Sequence, residues 1–309
     1  MKIISIGNKG IESVLRYSCF LFLFSRGLLY VIFDSPYRAL LWSEATLAPY
    51  LEGMGIEWSY YADVSNPWIC ALENGIGIFL MLASFCFLSI KPDEVRRWKR
   101  WLICAAGTFT MLHVLLVYLG HNREFPVLPE YLLQGLCPWL FLGYLRYFSR
   151  DRCEPWSKVS PELLLWTKIA LSCCFIGHGL YAFGWPYQPA YFVDMLVRCT
   201  QLEFAAASFV TRVIGAVDIF LGVALFVRGW ERVILGHMFV WGMLTALSRV
   251  LSYVIVPMMW SNWNPWLFET TVRVVHGGLP LFLMCLYPTV QGVGSEWRAL
   301  WVRLKKPSF

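Results

Sequence analysis

Seven ionisable side chains sit in long apolar stretches of the second half of the chain: His178, Arg212, Asp218, Arg249, Glu269, Arg273 and His276. An ionisable group at membrane depth is costly unless paired or hydrated, so each is a candidate for function. Arginine offers a rigid fork suited to carboxylate, phosphate or sulfur oxyanions. Arginine and histidine also donate well to a quinone carbonyl, and His178 has the chemistry to move a proton near neutral pH. Glu269 and Arg273 are four apart and share a helix face, with His276 about a turn further on. At about 1.5 Å of rise per residue, Arg212 falls about 12 Å from the outer end of its span. These residues are expected to line an outward-facing basic cavity, with Glu269 orienting Arg273 and Asp218 offsetting charge from below. In the first half, Arg26 and Glu73 lie on successive apolar stretches and are expected to form a structural ion pair.

Other chemistries are poorly represented. There is no zinc motif, phosphate loop or Ser-His-Asp arrangement. No two histidines share a helix at ligand spacing, which disfavours a haem. The chain has ten cysteines but no CxxC pattern, and most fall in apolar runs, where they read as small core residues.

The elements that would carry these groups are membrane spans. The chain is 58% hydrophobic and only 15% charged, whereas a soluble protein carries about a quarter charged residues. About 20 apolar residues cross a bilayer, and eight runs qualify: roughly 14–33, 66–90, 101–120, 130–148, 163–183, 204–227, 233–256 and 266–287. Lys and Arg crowd one set of loops (91–100, 146–158, 228–232) and both termini, while Arg38, Arg123 and Arg198 lie on the other side. This bias places both termini in the cytoplasm of a multi-pass cell-membrane protein. The basic residues are dispersed over short loops, so the net charge of +6 is not a nucleic-acid footprint.

The halves repeat. "NPWICALENGIGIFLMLASF" (66–85) aligns without a gap to "ASFVTRVIGAVDIFLGVALF" (207–226), "SRGLLY" (25–30) to "GHGLYA" (177–182), "WKRWLI" (98–103) to "WERVIL" (230–235), and "QGLCPWLF" (134–141) to "HGGLPLFL" (276–283). The expected fold is all-α, a polytopic membrane protein of eight helices in two duplicated four-helix bundles. Its first unit spans 1–149, a cytoplasmic linker 150–162, the second unit 163–288 and a basic tail 289–309. The positions aligned with Arg212, Arg249 and Arg273 are Ala71, Val117 and Tyr131, so three arginines appear in one copy alone, which points to the second unit as the site.

The repeated unit resembles the DoxX-like four-helix membrane proteins. The resemblance rests on the His-Gly pattern of "IGHGLYAFG" at His178 and Gly179, and on an acid followed four residues later by glycine, at Asp218–Gly222 and Glu73–Gly77. The first copy carries Arg26 where the second has His178. The resemblance implies a redox-associated membrane subunit, with a quinone or anionic ligand in the second unit and a redox or periplasmic partner protein. A non-enzymatic scaffold, maturation factor or lipid-binding protein is the alternative, followed by an anion carrier. Whether the chain is an enzyme is left open by the sequence.

Overall fold

The computed structural model describes residues 8–91, 96–148, 159–254 and 263–287. The expected tail (289–309) and most of the expected linker (150–158) lie outside them. The described residues form α-helices joined by turns, with no strand. In chain order these are α1 (Asn8–Ile32), α2 (Pro36–Leu41), α3 (Glu44–Gly53), α4 (Trp58–Ser89), α5 (Arg97–Gly120), α6 (Val127–Leu145), α7 (Pro161–Phe183), α8 (Ala190–Thr200), α9 (Phe204–Ala224), α10 (Glu231–Val254), α11 (Trp263–Val272) and α12 (Val274–Leu286).

Six of them, α1, α4, α5, α7, α9 and α10, are long and apolar enough to cross a bilayer. The protein is therefore built as a multi-pass helical membrane protein. Two of the eight expected runs differ. The run at 130–148 becomes α6, a 19-residue helix holding Glu130, Gln134 and Pro138. The run at 266–287 is interrupted at Arg273, where tight i→i+3 bonds (Arg273 N–H to the Thr270 carbonyl, His276 N–H to the Arg273 carbonyl) separate α11 from α12. No proline or glycine occupies that position, so the sequence pattern does not signal the break. α4 is 32 residues long, about 48 Å, and overshoots an apolar core of about 30 Å.

Local chemistry sets the ends of α7. Ser160 caps the first turn by accepting from the Leu163 N–H, Pro161 occupies the first turn, and Gly184 closes the helix with φ of 110°. α2 is tied to α5 by the Tyr37 hydroxyl, which donates to the Phe109 carbonyl (2.8 Å), and burial pushes that phenol's pKa above its ordinary range.

The helices pack in a repeating scheme. α1 lies along α4 and α7 along α9; α5 pairs with α6 and α10 with α12; α2 rests on α4 and α5, α8 on α9 and α10. The halves join where α6 meets α7 and where α1 meets α11 and α12. Two crossings need glycine. A Cβ on Gly27 would stand 2.5 Å from the Gly77 carbonyl oxygen, and one on Gly179 would stand 2.8 Å from that of Gly215. One apolar core runs through both halves, from Leu15 and Phe22 to Phe282 and Leu286.

Candidate functional site

Five helices and the α11–α12 break deliver polar groups to the middle of the molecule. Glu130 comes from α6, Cys174 and His178 from α7, Asp218 from α9, Thr245 and Arg249 from α10, and His276 from α12, with Arg273 at the break. They line a compartment of about 30 Å³, room for one or two waters. His178 Nδ1 lies 2.9 Å from Asp218 Oδ2. Arg273 Nη1 lies 3.9 Å from Glu130 Oε1, and Arg273 Nε lies 3.9 Å from Glu269 Oε2. Its guanidinium also sits 5.9 Å from the ring centre of Tyr131. Glu269 Oε1 in turn reaches Arg26 Nη1 of α1 at 3.8 Å, and Arg26 Nη2 donates to Gln134 Oε1 of α6 at 2.8 Å. The result is a chain of alternating charge, Arg26–Glu269–Arg273–Glu130, that crosses from one half to the other.

Arg249 is the exception. It is 4% exposed, and its guanidinium donates to the Thr245 carbonyl of its own helix at 2.8 Å. Among the described residues no carboxylate lies within 4 Å of it. Four polar atoms of residues lining this compartment are buried without a hydrogen-bond partner among the described residues: Asp218 Oδ1, Trp241 Nε1, Arg273 Nε and His276 Nε2. Buried polar groups without partners are destabilising, so the compartment is built around donors and acceptors that its own residues do not satisfy.

A second, apolar compartment of about 250 Å³ adjoins the first and shares His178, Trp241, Thr245 and Arg249 with it. Its other walls include Ala182 on α7, Phe192 and Met195 on α8, Ile214 on α9, and Leu244 and Leu251 on α10. The His178 ring lies 4.9 Å from that of Phe192. The two spaces together have the outline of an amphipathic molecule: a charged, hydrogen-bonding end and an apolar body.

Six of the seven expected residues meet: His178, Asp218, Arg249, Arg273 and His276 line the polar compartment, and Glu269 stands behind Arg273. Arg212 does not join them. It is exposed on the flank of α9, while its neighbour Thr211 lines the apolar compartment. Successive helix residues point about 100° apart, so one of the two faces away. Nor do Arg26 and Glu73 pair. Arg26 turns toward α6 and α11, whereas Glu73, 4% exposed, lies beside Asp34 with its Oε1 unpartnered. The cavity is also not basic. Of the residues lining it, Arg249 and Arg273 are balanced by Glu130 and Asp218.

Glu130 lines the compartment but is not singled out by the sequence pattern. It lies in the first turn of an apolar run, where an acid reads as a loop edge. Trp241 and Thr245 were likewise hidden, as ordinary members of an apolar helix. Among the described residues no three His, Cys, Asp or Glu side chains come together to hold a metal ion. Compared with protein-family models, curated proteins and solved structures, the chain matches none of them.

Proposed function

We propose that this protein binds an amphipathic ligand inside the membrane, with an acceptor oxygen of its head on Arg249 and its body in the apolar compartment. The observation that carries this reading is Arg249: a buried guanidinium with no carboxylate within 4 Å among the described residues, at the junction of a polar and an apolar space. A quinone suits the site better than a multiply charged oxyanion, because the charges lining the polar compartment already cancel. A quinone carbonyl would accept from Arg249 and from Trp241 Nε1. The His178–Asp218 pair beside it is a group able to give or take a proton. In this reading the chain is a quinone-binding subunit related to the DoxX-like proteins, and a partner protein exchanges electrons with the quinone.

The packing supports a tandem duplication of the four-helix unit, with α6 and the interrupted α11–α12 serving as the fourth spans. Gly135 lies over Met111 and Gly277 over Met243 (Cβ positions 2.6 Å from sulfur and from Cγ respectively), and both pairs are related by the sequence matches between the halves. Tyr131 and Arg273, aligned in the two copies, touch each other, as equivalent residues do near a two-fold axis. The charge bias of the loops favours cytoplasmic termini; a reporter fused after Phe309 that works only outside the membrane would overturn that orientation.

The non-enzymatic alternative shares the cavity and differs in its occupant, a membrane lipid. Mass spectrometry of molecules co-purifying with the native protein and with Arg249→Gln separates the two. Quinone enriched with the native protein and lost from the variant is the expected result. Enrichment of a phospholipid alone, or retention of the same molecule by Arg249→Gln, overturns the quinone reading.

A further inference from the structure

We infer that the ligand reaches Arg249 sideways from the bilayer, through the seam between α9 and α10 beneath α8, and is therefore a chain-bearing, membrane-resident molecule. This rests on the binding reading above and narrows the class of molecule it applies to.

The argument begins with the walls of the apolar compartment. Leu244 and Leu251 line it, and they are 49% and 47% exposed, so the compartment is open rather than sealed at α10. The compartment's wall is thus continuous with the protein's lipid-facing surface. Ile214 forms the opposite lip on α9. The seam between these two helices is loose. α7 is packed tightly along α9, and α12 along α10, whereas α9 and α10 themselves meet only sparsely and α8 bridges them. The corresponding seam in the first half, between α4 and α5, is more closely packed.

α8 makes a soft roof. Its described polar contacts to α10 are two weak sulfur interactions: Cys199 Sγ donates to the Ser248 carbonyl at 3.8 Å, and the Ser248 hydroxyl donates to Met195 Sδ at 4.0 Å. Contacts of this kind are easily exchanged for contacts with a ligand's chain.

Chemistry along the route selects the traveller. The lining of this route is mostly apolar, with Ile214, Leu244, Leu251, Phe192 and Met195; the hydroxyls of Thr211 and Ser248 on it donate to carbonyls of their own helices, and charged groups stand only at the junction with the polar compartment, at His178 and Arg249. A hydrated anion would lose its water along apolar walls before reaching a donor, which is strongly unfavourable. A quinone with a hydrocarbon chain begins in lipid, keeps its chain in an apolar setting throughout, and brings only its carbonyls to Arg249.

The test uses the full-length protein in nanodiscs and two probes with the same quinone head, one carrying a ten-carbon chain and one carrying none. The native protein is expected to bind the chain-bearing probe about tenfold or more tightly, the return from burying about two methylenes. Leu251→Trp, and independently Ile214→Trp on the facing lip, are expected to slow association and dissociation of that probe about tenfold or more, the signature of a blocked passage. Two variants on different helices guard against one that fails to fold. Equal affinity for both probes, with unchanged rates in both tryptophan variants, overturns the lateral passage while leaving the Arg249 reading standing. Failure of the native protein to bind either probe overturns that reading and the passage with it.

Discussion

Arg26 of α1 and Glu269 of α11 stand 3.8 Å apart, an ion pair that links the first membrane helix to the last part of the bundle. Arg26 is 7% exposed at its side chain and Glu269 29%, so the pair is sheltered on one side only. Glu269 also faces Arg273, and Arg26 also donates to Gln134. The pair is thus one link in a network that holds the two halves in register, and its members will not behave independently. Arg26→Met is expected to destabilise the protein by about 1–3 kcal/mol, because it leaves Glu269 and Gln134 short of a partner. Adding Glu269→Gln should recover part of that loss. Thermal unfolding of the two single variants and the double variant measures the coupling, and strictly additive losses would show that the pair is not a working contact. Arg26→Met with Glu73→Gln should be additive, since Glu73 belongs to a different cluster.

The crossing of α7 and α9 places a stricter demand on sequence. A Cβ on Gly215 would stand 2.3 Å from the Phe183 nitrogen and 2.6 Å from the Gly179 carbonyl oxygen. Both are backbone atoms in packed helices and neither can swing aside. Gly215→Ala is therefore expected to force the helices apart and to cost about 1–3 kcal/mol or more, as overpacking does. The control is Gly75→Ala, which meets nothing within 4 Å on an exposed helix face and should gain about 0.5–1 kcal/mol from helix propensity. The two substitutions are chemically identical, so opposite shifts in melting temperature would isolate the crossing itself. Similar shifts would mean that α7 and α9 do not approach as described.

His178 and Asp218 illustrate what the sequence makes legible. Both stand out as ionisable groups in apolar runs, and both lie in the compartment, 2.9 Å apart. The same is true of Arg249, Arg273 and His276. What decides membership beyond that is rotation about the helix axis, which in a lipid-facing bundle is weakly encoded, because the buried and the lipid-exposed faces are both apolar. Arg212 shows this failure directly. Glu130 fails for another reason: its helix begins just before it, and an acid at a helix start is ordinary on electrostatic grounds. The break at Arg273 lies where α11 and α12 both pack on α1 and α10, and no proline or glycine at that position announces it. The six helices long and apolar enough to span, by contrast, all coincide with runs of hydrophobicity that the sequence displays.

The His178–Asp218 pair yields its own prediction. Asp218 is 1% exposed, and its Oδ1 is already unpartnered. His178→Ala removes the hydrogen bond on Oδ2 and leaves a buried carboxylate unsupported, expected to cost about 3 kcal/mol or more. Asp218→Asn keeps the shape and loses the charge, and should fold nearly as well as the native protein. If the pair serves the bound quinone, Asp218→Asn should weaken quinone binding by about threefold or more while leaving the fold intact, because the neutral amide holds the imidazole less firmly than the carboxylate. Titration with the chain-bearing quinone decides the point, and unchanged affinity would confine the pair to a packing role.

Arg249 and Arg212 provide the sharpest contrast, because both are arginines in adjacent spans of the same half and only one faces the cavity. Arg249 is buried at the junction of the two compartments and, among the described residues, hydrogen-bonds only to the Thr245 carbonyl. Arg212 is exposed on the flank of α9 and has no described role in either space. An arginine on that flank can carry its head toward the interface along its own methylenes, at little cost to the fold. Arg212→Gln is therefore expected to leave stability within about 0.5 kcal/mol of the native value and ligand retention unchanged. Arg249→Gln removes a charged donor from a water-poor site, and a lost charge-assisted hydrogen bond is worth about 1.5–3 kcal/mol, so affinity should fall by about tenfold to a hundredfold or more. Arg249→Lys keeps the charge without the planar fork and should recover only part of the loss. Titration of the three variants with the chain-bearing quinone, each first checked for insertion and melting temperature, provides the comparison. Equal losses at Arg212 and Arg249 would mean that the ligand is held by the general positive potential of α9 and α10, and the junction between the two compartments would lose its significance.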